Sequence, residues 1–284
     1  MKRFVFAGGV GILLFIGVPF FLHSSPSVFA AVSASVGSYF QYSFSVDGTL
    51  DEAGSMGESW SPYWWLNSGG QFFLKDGVGK TAQGELPDLS KWRLYYASAN
   101  PIDTDNGYHP QNIFRLVSRS TWQNFEQQVR FRITRINMSE SPERDGWSGV
   151  LLFNRYVNGD NLYYAGIRED GYSVIKKKKN GVYYTLASER VYGADAPYDR
   201  DTNPNLIPGK KWIGLRSVVQ NGLNGSVDIT LYVDKNNTGV WEVAAQVTDD
   251  GKSYGGSAIT SEGYVGVRTD FMDVEFDDYK VRKL

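Results

Sequence analysis

The sequence predicts an all-β protein built as a two-sheet antiparallel sandwich. Short runs with an apolar residue at every second position recur from Ala31 onward, and such runs indicate strands with one buried face and one wet face. Asn-Gly and Asp-Gly pairs separate several of these runs, and both pairs supply the positive φ angles that tight hairpins need. Helical periodicity is hard to locate anywhere in the chain.

The chain has 284 residues, a length that one large sandwich can occupy alone. We predict a signal peptide, or an N-terminal anchor, over residues 1–30 and a single β-sandwich domain over residues 31–284. Within this domain, residues from about 43 to 71 are rich in Gly and Ser but carry several aromatic side chains. We expect this long aromatic segment to be a loop.

The N-terminal prediction depends on two basic residues, Lys2 and Arg3, followed by an apolar run from residue 4 to residue 22. The permissive residues Val28 and Ala30 then form a cleavage pattern, so we expect export with cleavage after Ala30. The apolar run is also almost long enough to span a bilayer, which leaves an uncleaved anchor as the alternative. The predicted location is therefore secreted or at the cell surface, with membrane contact only through an uncleaved segment.

Composition narrows the possible chemistry. The chain has no cysteine, so an exported protein of this sequence cannot use disulfides, and zinc or thiol chemistry loses most of its ligands. His109 is the only histidine beyond the N-terminal segment. A formal net charge of -2 creates no global field that would attract nucleic acid, and we expect no nucleic-acid partner.

Three runs carry the clearest strand alternation, and in each run every second residue is predicted to point into the core. The inward residues are Phe125, Val129, Phe131 and Ile133 in the first run, Val227, Ile229, Leu231 and Val233 in the second, and Trp241, Val243, Ala245 and Val247 in the third. Turns at 158–159, 170–171 and 180–181 predict a four-stranded meander. Regularly spaced short strands of this kind are typical of a jelly roll.

Three stretches show a resemblance to a known superfamily: "NLYYAGIREDGYSVIKKKKNGVYYTLA", "WIGLRSVVQNGLNGSVDITLYVD" and "GYVGVRTDFMDVEFDDYKV". Together they resemble the concanavalin A-like lectin and glucanase superfamily, with laminin-G-like and bacterial secreted sugar-processing proteins as the most similar branches. The resemblance covers roughly residues 114–281. It implies a jelly-roll sandwich and a partner that is a polysaccharide or another glycan.

The function that follows is an exported carbohydrate-binding sandwich that acts on extracellular polysaccharide. Sugar binding combines aromatic faces with planar polar groups. We expect these from Asn154, Tyr164, Arg168 and the adjacent Trp64 and Trp65.

Three alternatives remain open: a polysaccharide lyase, a glycoside hydrolase on the same fold, and a structural envelope protein. A lyase needs a base to remove the proton next to a uronate carboxylate and a cation to neutralise that carboxylate. The candidates are Tyr164, Arg168, His109 and Arg115.

The last strand, "FMDVEFDDYKV", places Asp273, Glu275 and Asp277 at alternate positions, with Met272, Val274 and Phe276 as their inward neighbours. These carboxylates could form a wet face, ligate a metal or act in catalysis. Laminarinase-like glucanases carry Glu-x-Asp-x-x-Glu, and the third acidic position of that pattern is not a glutamate here. The resemblance also implies a possible structural calcium, for which Asp277 and Asp47 are the candidate ligands.

Lys176 to Lys179 form the most conspicuous run of charge. Consecutive lysines discourage edge-to-edge pairing, so they predict a protected sheet edge. The alternative is a contact with acidic polysaccharide.

Overall fold

The computed structural model describes residues 38–193 and 197–284, and the predicted signal peptide lies outside these residues. They contain sixteen β-strands, one α-helix and two short 3₁₀ turns, Pro110–Asn112 and Leu223–Gly225. The first half comprises β1 (Tyr39–Tyr42), β2 (Gly48–Asp51), β3 (Trp64–Ser68), β4 (Gln71–Lys75), β5 (Val78–Thr81), α1 (Lys91–Ala99), β6 (Ile113–Trp122), β7 (Phe125–Ile136) and β8 (Gly149–Asn158). The second half comprises β9 (Asn161–Arg168), β10 (Ser173–Lys179), β11 (Val182–Ala187), β12 (Ile213–Asn221), β13 (Val227–Asp234), β14 (Glu242–Asp249), β15 (Gly263–Asp270) and β16 (Met272–Lys283).

The strands form two antiparallel sheets. Sheet A has the order β14-β13-β12-β7-β16-β5-β4-β2, with β1 paired to β16, and sheet B has the order β11-β10-β9-β8-β15-β6-β3. The predicted all-β, two-sheet sandwich is therefore confirmed. Because strands that are distant in sequence lie side by side, both sheets depend on long-range pairing, and β15 in sheet B lies between β8 and β6.

The core fills the space between the two sheets. Phe131 of β7 and Phe276 of β16 belong to it from sheet A, and Leu152, Ala165 and Val267 belong to it from sheet B. Alternation along β7 is as predicted, since its residues alternate between buried and partly exposed from Phe125 to Thr134. The inward positions of β16 are also confirmed, because Met272, Val274 and Phe276 are all buried in this cluster.

The predicted four-stranded meander is confirmed as β8, β9, β10 and β11, each paired antiparallel to the next. The last of its turns has φ angles of 49° at Asn180 and 82° at Gly181. Positive φ at both central residues is what a type I′ hairpin turn requires, and Asn-Gly supplies it at little steric cost.

The structure differs from expectation in two places. The long aromatic segment contains β2 and β3, and β3 is an edge strand of sheet B rather than loop. In β14 the predicted alternation fails because a register shift opposite Leu231 and Tyr232 turns Ala244 into the core beside Ala245. Val243 is consequently exposed, as expected when a bulge adds one residue to a strand.

The sheet-edge explanation of the lysine run is wrong. These lysines lie on β10, which has β9 on one side and β11 on the other. The strand at this edge of sheet B is β11, next to β10.

One helix, α1, was not predicted; it packs Trp92 and Tyr96 inward. No helix among the described residues is both long enough and apolar enough to cross a membrane.

Candidate functional site

The outer face of sheet B, the face turned away from the core, carries a group of cationic and aromatic side chains. Alternation explains their direction: Val267 and Thr269 of β15 are fully buried, so the intervening Arg268 points outward. The same rule turns Arg115 of β6 and Tyr164 of β9 to the outer face. Lys176, Lys178, Arg168, Tyr183 and Trp147 complete the group, which we call the sheet B cleft.

Two arginines lie side by side at the centre of the cleft. Arg115 and Arg268 are direct register partners on β6 and β15. The Nε of Arg268 donates to both carboxylate oxygens of Asp270, at 2.9 and 3.0 Å. Although burial alone would lower the pKa of Arg268, the charge of Asp270 raises it above the ordinary value. Arg268 is therefore held as a firmly charged, paired cation.

Arg115 has no comparable carboxylate. Within residues 38–193 and 197–284, its guanidinium forms no ion pair and no side-chain hydrogen bond. Burial and the positive charge of Arg268 lower the pKa of Arg115. A mostly buried cation without a counter-ion is costly in a folded protein. The arrangement therefore leaves a receptor for an anionic or strongly polar group.

Trp147, in the loop between β7 and β8, forms a half-exposed aromatic platform beside the arginines. The guanidinium of Arg168 lies 3.5 Å from the ring centroid, and Nζ of Lys176 lies 3.8 Å from it. Arg168 is also paired with Asp170. The loop is fixed by its own hydrogen bond, because the backbone N–H of Trp147 donates to Asp145 at 2.7 Å. Cations over an aromatic face are attracted by the ring quadrupole, which orients both side chains.

Two tyrosine hydroxyls meet in the cleft. Tyr183 of β11 and Tyr164 of β9 have ring centroids 6.0 Å apart, and their hydroxyls are close enough to interact electrostatically. Burial raises the pKa of Tyr164. Burial also acts upward on Tyr183, but the charges of Arg268 and Lys178 outweigh it and lower the pKa of Tyr183. One hydroxyl is thus the easier of the two to ionise, although both belong to the same residue type.

The cleft is divided into two cavities that share Arg115, Arg268 and Tyr183. The first, about 250 Å³ in volume, we call the aspartate cavity, because four carboxylates line it: Asp103, Glu143, Asp145 and Asp270. The second, about 120 Å³, we call the tyrosine cavity. It is lined by Tyr156, Tyr164, Tyr183, Lys178 and Asn67 together with the two shared arginines, and none of the described residues that line it carries a carboxylate.

The structure brings together three of the residues proposed from the sequence: Tyr164, Arg168 and Arg115. Trp65 also lies on the outer face of sheet B, packed beside the Tyr164 cluster, and its Nε1 donates to the carbonyl of Ala53 at 2.8 Å. Its neighbour Trp64 points the other way, into the core, and is only 1% exposed.

Two other candidates lie away from the cleft. Asn154 is fully buried between the sheets, where its carbonyl oxygen accepts hydrogen bonds from Gln127 and Ser217 at 2.7 Å each. His109 precedes a 3₁₀ turn, and its Nδ1 pairs with Asp105 at 2.8 Å. Neither side chain shares a surface with Tyr164.

The carboxylates of β16 are largely engaged with other parts of the protein. Asp273 is buried and accepts hydrogen bonds from Gln111 at 2.8 Å and Asn137 at 3.0 Å. Glu275 accepts from Arg132 Nε at 2.8 Å and lies 3.4 Å from Lys80. Both residues belong to sheet A, whereas the cleft lies on sheet B.

The two proposed calcium ligands do not fit a shared ion. Asp47 is exposed and precedes β2, and two strands, β4 and β5, lie between β2 and the β16 that carries Asp277. Three interstrand steps of about 4.8 Å correspond to roughly 14 Å, far beyond the reach of two ligands on one calcium. Among the described residues, no group of three or more acidic or histidine side chains could hold a metal ion.

Sequence reasoning missed Tyr183 and Trp147 as parts of this site. No motif marks them, because they reach the cleft from an edge strand and from a loop. Pairing of β15 with both β6 and β8 is what gathers the group, and that pairing joins distant parts of the chain. The one available signal in the sequence was a tryptophan directly after Asp145-Gly146, a pair that favours a turn.

Comparison with known proteins bears on this architecture. No family model matches the chain, and no curated protein matches it. Several solved structures do.

Three solved structures illustrate the similarity. The carbohydrate-binding module CBM66 from Bacillus subtilis is 15% identical with a TM-score of 0.41, over 60% of this chain and 82% of that one. The exoplasmic/lumenal domain of VIP36, in a Ca²⁺/Man-bound form, is 12% identical with a TM-score of 0.42, over 83% and 89%. The β-glucanase of Bacillus licheniformis is 10% identical with a TM-score of 0.43, over 88% and 100%. With values this low, no conclusion about this chain is drawn from these three structures.

Proposed function

We propose that this protein binds carbohydrate in the sheet B cleft and that it does so outside the cell, on extracellular polysaccharide. The observation that carries the proposal is the composition of the cleft: aromatic rings stand beside planar, multiply hydrogen-bonding groups around a concave surface. Sugar rings offer apolar C–H faces that pack on aromatic rings and hydroxyls that need directed partners. The extracellular location is supported by the N-terminal sequence pattern.

The half-exposed rings of Trp147 and Tyr183 are the best placed to contact a sugar. Trp147 is 45% exposed and Tyr183 is 48% exposed, so neither ring is committed to the core. Asp145 and Asp270 line the adjoining cavity and offer acceptors for sugar hydroxyls, while the arginines offer donors.

Titration calorimetry against a panel of soluble polysaccharides, guided by a glycan array, tests the proposal. We expect at least one polymer to bind. Trp147→Ala should weaken that binding about tenfold or more, because the packing of a sugar ring on an aromatic ring contributes about 1 kcal/mol or more. Tyr95→Ala is the matched control, since Tyr95 is 52% exposed on α1 and lies outside the cleft lining. Binding to none of the polymers would overturn the proposal and favour a structural envelope protein.

A second candidate function, polysaccharide lyase, is favoured by one observation: Tyr183 and Tyr164 are neighbours in the cleft, and their pKa values are displaced in opposite directions. Paired groups with divided pKa values are suited to act as base and acid in one reaction. The environment of Tyr183, beside Lys178 and Arg268, makes it a better base than Tyr164, the residue that the sequence suggested.

The elimination step can be written for these residues. Tyr183, as its phenolate, removes the proton from the carbon next to a uronate carboxylate while Arg115 pairs with that carboxylate. The electron pair forms a carbon–carbon double bond, the bond to the leaving sugar oxygen breaks, and that oxygen takes the proton of Tyr164. Transfer of the proton from Tyr183 to the neighbouring Tyr164, directly or through water, restores the starting state.

Ultraviolet absorbance of the unsaturated product reports this reaction directly. If the protein is a lyase, incubation with a uronate polymer raises the absorbance and Tyr183→Phe abolishes the rise. A flat trace with a polymer that calorimetry shows to be bound removes the lyase and leaves the binding function intact.

A further inference from the structure

We infer that the tyrosine cavity receives the acidic group of a charged sugar, so that the polysaccharide bound in the sheet B cleft is an anionic one. This inference rests on the proposed carbohydrate-binding function and names the chemical class of its ligand. The shared chemistry is a planar or tetrahedral group of anionic oxygens, which a sugar carries either as a carboxylate or as a sulfate ester.

Charge is distributed unequally between the two cavities. Among residues 38–193 and 197–284, the tyrosine cavity is lined by three cationic side chains, Arg115, Arg268 and Lys178, and by no carboxylate. The one described carboxylate that pairs with Lys178 is that of the exposed Asp160, at 3.7 Å. The cavity therefore presents a net positive field inside aromatic walls, where low solvent access strengthens every charge interaction.

The carboxylates that act electrostatically on Arg115 are both occupied by other partners. Asp270 accepts two hydrogen bonds from Arg268. Glu52 accepts from the Tyr96 hydroxyl at 2.6 Å and from the backbone N–H of Gly70 at 2.8 Å. Because no described carboxylate forms an ion pair with Arg115, its guanidinium fork is free to take its counter-ion from a ligand.

The geometry of Arg115 suits an oxyanion. A guanidinium presents its N–H donors as a planar fork that binds two oxygens of a carboxylate or sulfate at once. Tyr164 and Tyr183 form adjacent walls of the same cavity, and their hydroxyls can donate or accept beside the anion.

The aspartate cavity has the opposite electrostatic preference and disfavours an anionic group. Four carboxylates line it against two arginines, so a second anionic group there would be repelled. Sugar hydroxyls, by contrast, can donate to these carboxylates. The cleft is therefore built for a segment whose acidic group lies in the tyrosine cavity while a hydroxyl-rich part of the chain lies in the aspartate cavity.

A matched pair of polymers tests the inference. Polygalacturonate and its fully methyl-esterified form share a backbone and differ only in the carboxylate charge, and dextran sulfate with dextran provides the same contrast for sulfate. Calorimetry at constant, moderate ionic strength is the measurement. We expect the acidic member of at least one pair to bind about 10- to 100-fold more tightly than its neutral partner, the effect of one charge-assisted hydrogen-bonded pair.

The pairs also separate the possible failures. Preference within the galacturonate pair assigns the cavity to a carboxylate, and preference within the dextran pair assigns it to a sulfate. Equal binding of charged and neutral members would overturn the inference and leave carbohydrate binding standing. Binding of no polymer at all would overturn the proposed function and the inference together.

Arg115→Gln locates the effect. We expect this variant to bind the acidic polymer no better than its neutral partner, and Arg115→Lys to recover part of the preference because it keeps the charge without the fork. Arg282→Gln is the control, since Arg282 is a surface arginine that pairs with Glu126 on sheet A at 3.1 Å. An acidic preference that survives Arg115→Gln, in a variant that unfolds cooperatively, would place the receptor elsewhere.

Discussion

Arg115 and Arg268 occupy paired positions on neighbouring strands, yet only Arg268 has a carboxylate beside it. Two residues of the same type thus have opposite effects on the folded state. Arg268 is part of a mostly buried ion pair, and removing one member of such a pair leaves the other uncompensated. Arg115 is itself the uncompensated charge.

We therefore expect Arg115→Met to stabilise the ligand-free protein by about 1 kcal/mol, because it removes a desolvated, unpaired cation and keeps an apolar stem of similar length. Urea unfolding is the measurement. Arg268→Met should do the opposite and lower the free energy of unfolding by about 3 kcal/mol, since Asp270 would remain buried without its partner. Equal losses for the two variants would contradict this account of Arg115.

Lys176 predicts a pH dependence of ligand binding. Burial and the positive charges of Arg168 and Arg268 lower its pKa to about 8, against the opposing influence of Asp145 and Asp270. The residue is charged below that pH and neutral above it. Affinity for an acidic polymer should therefore fall as the pH rises from 7 to 9, with a midpoint near 8.

The variant Lys176→Gln should remove this step from the calorimetric pH profile. Ionisation of Tyr183 at alkaline pH would also add negative charge to the cleft. The variant Tyr183→Phe separates the two groups, because a step that persists in it belongs to Lys176.

The stability of the ligand-free protein changes with pH in the opposite direction to the binding affinity. Because the folded pKa of Lys176 is depressed, the unfolded chain binds the proton more tightly between pH 8 and the ordinary lysine value, and the contribution to stability rises through that window.

Some side chains of the sheet B cleft could be predicted from the sequence, and others could not because long-range strand pairing brings them there. Arg115 and Arg168 were found because a lyase needs a cation beside the uronate carboxylate, and because sugar binding uses planar polar groups such as that of Arg168. Asn154 was misleading because β8 is buried on both faces over most of its length, so its sequence carries no alternation that would show which side chains turn inward. Tyr183 and Trp147 depend on long-range pairing that no local pattern encodes.

The strand β10 illustrates how one element can serve both faces of a sheet. Lys176 and Lys178 point to the cleft, whereas Lys177 between them is fully buried in the interior. Its Nζ donates to Asp249 at 2.7 Å and to the carbonyl of Gly256 at 2.9 Å. The run that looked like uniform surface charge is divided by the period of the strand into a binding face and a structural ion pair.

We expect Lys177→Met to lower the free energy of unfolding by about 3 kcal/mol, because Asp249 would keep its charge in the interior without the ammonium group. The hydroxyl of Tyr163 also donates to this carboxylate, but one hydrogen bond from a neutral group compensates only part of the lost ion pair. Urea unfolding measures the loss. Lys179→Met is the matched control on the same strand, where the side chain is partly exposed, and it should change stability by about 0.5 kcal/mol or less.

The strands were predicted from the sequence more successfully than the bulge in β14 and the helix α1. The meander β8 to β11 was recognised because Asn-Gly and Asp-Gly turns have a local steric cause. The bulge in β14 was not, since the extra residue depends on pairing with β13 rather than on the sequence of β14 alone. The helix α1 escaped detection because only two of its nine residues, Trp92 and Tyr96, are buried, too few to establish a period.

Considered as a whole, the molecule uses its two sheets differently. Sheet A gives its inner face to the core and buries much of its outer polar network, including Asp273, against Gln111 and Asn137. Sheet B gives its inner face to the same core and leaves a cleft open on the other side. The two-sheet sandwich could be predicted from the sequence. Which sheet carries the cleft on its outer face could not, because it depends on how loops cover the outer face of sheet A.

The strand β16 connects these parts, since it pairs with β7 and β5 and also with β1. A chain that ends after Phe271 should therefore lose cooperative thermal unfolding, because sheet A would be split and Phe131 would lose its partner Phe276. Circular dichroism at increasing temperature is the measurement. A chain that ends after Arg282 keeps these pairings and should unfold cooperatively, and a cooperative transition in the shorter chain would show that β16 is dispensable.

The central position of β16 has a consequence for the order of events during biosynthesis. Most of sheet B, from β3 to β15, can be translated before residues 272–283 emerge from the ribosome, but sheet A cannot be completed until they do. Until then, β7 and β5 have unpaired backbone groups where β16 will insert. A nascent chain in this condition exposes unpaired strand edges, which make a folding intermediate prone to aggregate until β16 inserts.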